Sequence, residues 1–364
     1  MQTTLTPHEI VGAKLVEWYS CIVARDIEQA NELKEVTDRL ITNMVRNDKV
    51  LIHHKLVSLR HEFMIRGNLD EKLSNEDVDK IFAEADATDE HLKYLYYYMT
   101  AQFECYSRRY HSATRLYHIA ERYIPCINSP YEKGEFYSRL GFCYYRMDDY
   151  TRAVEYIKRA LDIFDADKKY EERFLNCNMI LAYVATELNQ YAKAESYYNL
   201  IYERSKLFPE THAIILRGIG LNRIRQNKLE EAKYFLSLCL EQGNHLNAII
   251  MAQATYNLAN TLHRLGERTE AKQLLDQAEE KSLELGLGEH IAKCMITRGL
   301  YEKEDLDMVN EGLELLKEQQ LTFEYNEMAE EISIYFEKNK EFQISLDFLR
   351  KAYGLPKNLK LLED

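Results

Sequence analysis

Glycine and proline are scarce, at 13 and 5 residues in a chain of 364. So few turn formers leave little room for the hairpins of a sheet protein, while apolar residues recur at spacings of three and four almost throughout, so the fold class is all-α. No apolar run approaches the roughly 20 residues that span a bilayer, and no membrane partner is expected. The opening MQTTLTPHEIVGAK lacks the basic stretch and apolar core of a secretory signal, which gives a cytoplasmic expectation. Seven cysteines (Cys21, Cys105, Cys126, Cys143, Cys177, Cys239, Cys294) are odd in number and include no CxxC. That spacing speaks against a disulfide framework or a zinc site, and Cys143 and Cys239 read as small buried apolar residues within helices. Basic charge is also short: the net charge of −13 is wrong for direct binding to nucleic acid through phosphates. GxSxG, HExxH, a phosphate loop and a dinucleotide fingerprint are all missing from the sequence, and no metal or cofactor is expected.

What is present is a repeat. Five segments share one punctuation, with a small residue at Ala101, Gly141, Ala182, Gly220 and Ala259, and a second twelve positions later at Ala113, Ala153, Ala194, Ala232 and Ala271. Seven residues further stand Ala120, Ala160, Ile201, Cys239 and Ala278. This is the tetratricopeptide pattern, in which small residues let two antiparallel helices approach and large apolar ones fill the gaps. A degenerate pair near 290–320 and a last one marked by Ser333, Ser345 and Ala352 would close an array of about six or seven repeats. The expected shape is a right-handed superhelix over residues 93–364. Residues 1–70 do not repeat and show three helical periodicities, which predicts a three-helix bundle. The acidic stretch between them, residues 71–92, reads as a solvated helical linker.

A stack of helix pairs presents a concave surface suited to an extended peptide. One register of that surface holds Arg146, Glu187, Arg225 and Arg264, with Asn257, Asn260 and His263 nearby. Three arginines in an acidic chain suggest a seat for a carboxylate, with Glu187 available to a basic group of the same ligand. The competing reading pairs those arginines with glutamates of neighbouring helices. In the bundle, adjacent His53 and His54 diverge by about 100° around a helix and cannot share an ion, and His61 lies seven residues beyond His54.

The stretches VGAKLVEWYSCI (11–22) and NMVRNDKVLIHHKLVSLRHEFM (43–64), together with the repeat register, resemble the Rap family of Bacillus over essentially the whole chain. The resemblance implies a quorum-sensing regulator whose N-terminal bundle binds a bacterial response regulator, of sporulation or competence signalling. A short linear signalling peptide, of the Phr type, would bind the repeat groove and release the target. In the phosphatase members a glutamine enters the target's active site; here Asp48 stands in its place, His53 and His54 replace two tyrosines, and Val45 and Arg46 replace two acidic residues. Val45, Arg46, Asn47, Asp48, His53 and His54 are thus the implied target-binding residues. In the peptide pocket Gly218 stands where many members carry an asparagine, Asn257 holds that register one repeat later, and Glu187 matches the acidic pocket residue. Phosphatase activity is expected to be weak or absent, because an aspartate brings negative charge towards an anionic phosphoryl group. The alternatives are an active aspartyl-phosphate phosphatase and a peptide-sensing regulator of another protein.

Overall fold

The computed structural model describes residues 5–66, 90–243, 247–319 and 321–354. Seventeen α-helices account for most of them, and the β-structure among the described residues is a single isolated bridge, Thr6 to Met44. The chain divides into two compact units, Met1–Val184 and Ala185–Asp364. The expected linker falls largely on residues outside the described ones; of its last residues, Glu90 already opens a helix.

Helices α1 (His8–Ala24), α2 (Ile27–Thr42) and α3 (Asp48–Arg66) form the N-terminal bundle. The buried face of α1 follows from the sequence: Val11, Leu15, Trp18 and Ile22, spaced four, three and four, are at most 1 % exposed. Trp18 donates its indole N–H to Nδ1 of His61 at 3.0 Å, and Nε2 of His61 reaches Oδ1 of Asn31 at 3.0 Å. Burial lowers the His61 pKa, so this imidazole is a neutral core hydrogen-bonding group.

The repeats follow as α4 (Glu90–Tyr106) with α5 (Tyr110–Glu121), α6 (Pro130–Arg146) with α7 (Tyr150–Phe164), α8 (Glu171–Glu187) with α9 (Tyr191–Ser205), and α10 (Pro209–Arg225) with α11 (Leu229–Glu241). Then come α12 (Ala248–Leu265) with α13 (Arg268–Glu284), α14 (Gly288–Arg298) with α15 (Leu306–Glu318), and α16 (Thr322–Lys338) with α17 (Phe342–Ala352). The turn inside every pair is made the same way, by one residue in the left-handed region: Arg108, Asp148, Asn189, Asn227, Gly266, Glu304 and Lys340. Glycine, asparagine and aspartate tolerate that region best, and four of the seven are of those types.

The small residues do what their spacing requires. A Cβ on Gly141 would lie 2.8 Å from Ile157, and one on Gly220 would lie 2.8 Å from Leu236, so glycine is what lets each partner helix close. The sixth pair departs from the pattern because its second small position is Val309. Compensation comes from Gly299, whose Cβ would meet Val309 at 2.8 Å, and from Gly312, which makes room for Ile296. At the same point α14 widens into a π turn over Gly299–Lys303.

Within the first unit a buried ionic knot joins the bundle to the repeats. Arg60 of α3 pairs with Glu135 of α6, donates to Oε1 of Gln102 at 2.5 Å, and lies over the Tyr98 ring of α4. Arg173 of α8 donates to the same Glu135 oxygen at 2.6 Å and to the backbone carbonyl of Val23 in α1 at 3.1 Å. Burial alone would raise the Glu135 pKa, but Arg173, Arg60 and Arg139 hold it at about 2.

Candidate functional site

The residues expected to meet a target lie at the start of α3 and in the loop before it. The bridge holds this loop, with Thr6 donating to the Asn43 carbonyl at 2.8 Å and Val45 donating to the Thr6 carbonyl at 3.0 Å. Asn47 caps the helix, its Oδ1 accepting from the Val50 amide at 3.2 Å. Asp48 follows in the first helical turn, where a carboxylate is favoured by the unsatisfied N–H groups. Its side chain is 69 % exposed and is joined at 3.0 Å to Nε of Arg46, which is 84 % exposed. Val45 is also exposed, so Val45, Arg46 and Asp48 form one accessible patch. His53 and His54 turn away from each other as the helical spacing requires. His54 bonds Oδ1 of Asp38 at 2.7 Å beside Trp18, and His53 meets the edge of His91 at 5.4 Å between ring centres. Among the described residues no three His, Cys, Asp or Glu side chains gather as a metal site.

The second unit contains a cavity of about 960 Å³. Glu187, Arg225, His263 and Arg264, four of the eight groove residues read from the sequence, line it. Arg225 is ion-paired there with Glu187 at 3.1 Å, Glu327 at 3.3 Å and Glu330 at 3.9 Å. Its charge is therefore already met by glutamates from the chain, as the competing reading of the arginine register had it. Arg264 makes no ion pair among the described residues and is a half-buried part of the lining. Asn260 lies behind the lining, donating to Glu331 at 2.7 Å and to Thr297 at 3.3 Å. Asn257 accepts from Nε of Arg217 at 3.0 Å, and Gly218 is buried within α10. Arg146 belongs to the first unit, where it lies over the Tyr110 ring at 5.5 Å.

The aromatic part of the lining was missed in the sequence. His263 stacks on Tyr301 at 5.5 Å, Tyr335 meets the edge of Tyr301 at 5.1 Å, and Arg225 lies over Phe323 at 5.8 Å. These rings come from α12, the π turn and α16, the part of the array where the small-residue pattern is weakest. The only signal was composition: Tyr301, Phe323 and Tyr335 are aromatic residues on or beside helices that otherwise carry many charges. Burial lowers the His263 pKa despite Glu302 nearby, so the stack is one of neutral rings. Charged groups beside an aromatic wall make a seat for a ligand with both polar and apolar parts, such as a short peptide.

Residues 5–66 match the family described as response regulator aspartate phosphatase H, N terminal, and residues 134–167 and 252–280 match tetratricopeptide repeats. The chain is 36 % identical over 365 residues to a Rhodococcus hoagii protein named type II methyltransferase M.CeqI, a match that covers all of this chain and 70 % of that one. It is 24 % identical to response regulator aspartate phosphatase I of Bacillus subtilis, over 97 % of this chain and 92 % of the relative. Among solved structures, a Rap protein complexed with competence and sporulation factor superposes with a TM-score of 0.85 at 22 % identity, covering 96 % of this chain and 98 % of that one. With the bundle, the repeats and these matches in agreement, the chain belongs to the Rap family.

Proposed function

We propose that this chain is a peptide-responsive regulator that holds a bacterial response regulator on its N-terminal bundle, with little or no phosphatase activity. In this reading residues 1–70 carry target binding, 71–92 connect, and 93–364 carry the peptide site. The observation that supports it most is the cavity of the second unit, lined by both an ionic cluster and stacked rings. A short linear peptide would sit in such a cavity with its apolar side chains against Tyr301 and Tyr335 and its carboxylate near Arg264. Basic side chains of the peptide would compete with Arg225 for Glu187 or Glu330. Asn257 and Gly218 belong to the same groove in this proposal but act further from the cavity.

The weak catalysis follows from Asp48. A neutral amide can orient water beside an aspartyl phosphate, whereas a carboxylate about 4 Å from a phosphoryl group costs about 4 kcal/mol at an intermediate dielectric. Arg46 relieves part of that repulsion and offers the target's acidic pocket a charge of the right sign. Methyl transfer, the activity in one relative's name, has no support in the fold, since the described residues build no parallel sheet on which doubly wound enzymes seat nucleotide cofactors.

The test is to pan synthetic pentapeptides against the whole chain and measure the best binders by calorimetry. Arg264→Ala is expected to weaken binders with a free C-terminus by about tenfold, the value of one charge-assisted contact near 1.4 kcal/mol. Binders unaffected by Arg264→Ala and by Tyr301→Ala would place the ligand elsewhere.

A further inference from the structure

Two thiols that the sequence placed in unrelated helices meet in the first unit. Cys143 of α6 donates its S–H to Sγ of Cys105 in α4 at 3.0 Å, about 1 Å longer than a disulfide bond. Both are free cysteines; Cys143 is fully buried and Cys105 is half-buried. The two are 38 residues apart, close to one repeat step, so the stacking of the first helices of successive repeats is what brings them together. The surroundings favour charge on one sulfur. The hydrogen bond from Cys143 lowers the Cys105 pKa against the effect of burial, with Arg139 and Arg146 adding to it. The same hydrogen bond, from the donor's side, raises that of Cys143, and burial adds to it. One sulfur is thus poised as a nucleophile and the other as its resolving partner.

We propose that Cys105 and Cys143 form a reversible dithiol–disulfide site, oxidised by hydroperoxides, that staples the first helices of the first two repeats. The Cys105 thiolate attacks the outer oxygen of the peroxide. The O–O bond breaks, Cys105 becomes a sulfenic acid, and the departing oxygen takes a proton to leave as water or an alcohol. The Cys143 sulfur then attacks the Cys105 sulfur. The S–S bond forms, the S–O bond breaks, and hydroxide leaves as water with the Cys143 proton. The two sulfurs together lose two electrons and the peroxide gains them. Burial raises the pKa of Cys177, Cys239 and Cys294, which makes these thiols poorer nucleophiles than Cys105.

The whole reduced chain is treated with a small excess of hydrogen peroxide, free thiols are alkylated, and the digest is mapped by mass spectrometry. The expected product is a peptide pair linked through Cys105 and Cys143, with an intact mass lower by two hydrogens and restored by dithiothreitol. In Cys143→Ser the linked pair is absent and Cys105 accumulates as a sulfenic acid that dimedone traps. Cys105→Ser, in which Cys143 should resist oxidation, serves as a second variant if the first does not fold. Oxidation at other cysteines while these two stay alkylatable would overturn the proposal, as would passage of Cys105 to sulfinic acid with no linked pair.

Discussion

Two glutamates three residues apart in α6 show how far a single side chain's surroundings decide its part. Glu135 lies between Arg60 and Arg173 with its pKa held at about 2, while burial pushes that of Glu132 up to about 7, aided by the Glu135 charge. Glu135 therefore contributes stability above its unfolded value near 4.5, and that contribution is lost as the pH falls towards 2. Glu132 works the other way: its penalty grows as the pH rises from about 4.5 and is complete above about 7. Glu135→Gln leaves two guanidinium groups buried without their counter-charge, and a loss of about 3–5 kcal/mol in urea unfolding at pH 7 is expected. Glu132→Gln should match the parent near pH 4 and exceed its stability at pH 8, and an unchanged difference across that range would refute the assignment. Neither role was legible in the sequence, because that of Glu135 depends on arginines brought in from α3 and α8 and that of Glu132 on its burial beside Glu135. Asp48 was legible only as the residue at the position of the family's glutamine, and its place in the first turn of α3, after the Asn47 cap, is what the structure adds.

At the scale of elements, the helix pairs could be read almost in full, because small-residue spacing is a local property that packing then uses. The sixth pair could not, since its bulky Val309 is offset by Gly299 and Gly312 at positions outside the pattern, with a π turn between. Gly312→Ala would put a Cβ 2.6 Å from Ile296 and 2.9 Å from the Ala292 carbonyl. The overpacking is expected to cost about 1–3 kcal/mol even after alanine's better helix propensity is counted. The turns offer the opposite experiment. Lys340 holds a φ of 65° that lysine disfavours, and Lys340→Gly should stabilise by about 1 kcal/mol; Gly266→Ala, at a φ of 86°, should destabilise by a similar amount. Urea midpoints for the pair of variants check both signs at once.

For the whole molecule, family membership, the bundle and the repeat array were accessible from the sequence, whereas the cavity was accessible only in part. Glu187, Arg225 and Arg264 come from one repeated register, with His263 beside it, and all four line the cavity. Their partners Glu327, Glu330 and Tyr301 come from the degenerate end, so the sequence did not show that Arg225 is already ion-paired. The two compact units also make a prediction about stability: Glu135→Gln and Gly312→Ala share no partner and lie in different units, and their effects should add to within about 0.5 kcal/mol. The account's central claim is that the chain binds a response regulator without dephosphorylating it. The most direct measurement is a time course of phosphorylated sporulation and competence response regulators with the parent chain and with Asp48→Gln, with complex formation followed by gel filtration. A stable complex whose phosphate decays no faster than the free regulator's, with faster decay appearing in Asp48→Gln, is the predicted result. Rapid phosphate loss with the parent chain, or no complex with any response regulator, would contradict it.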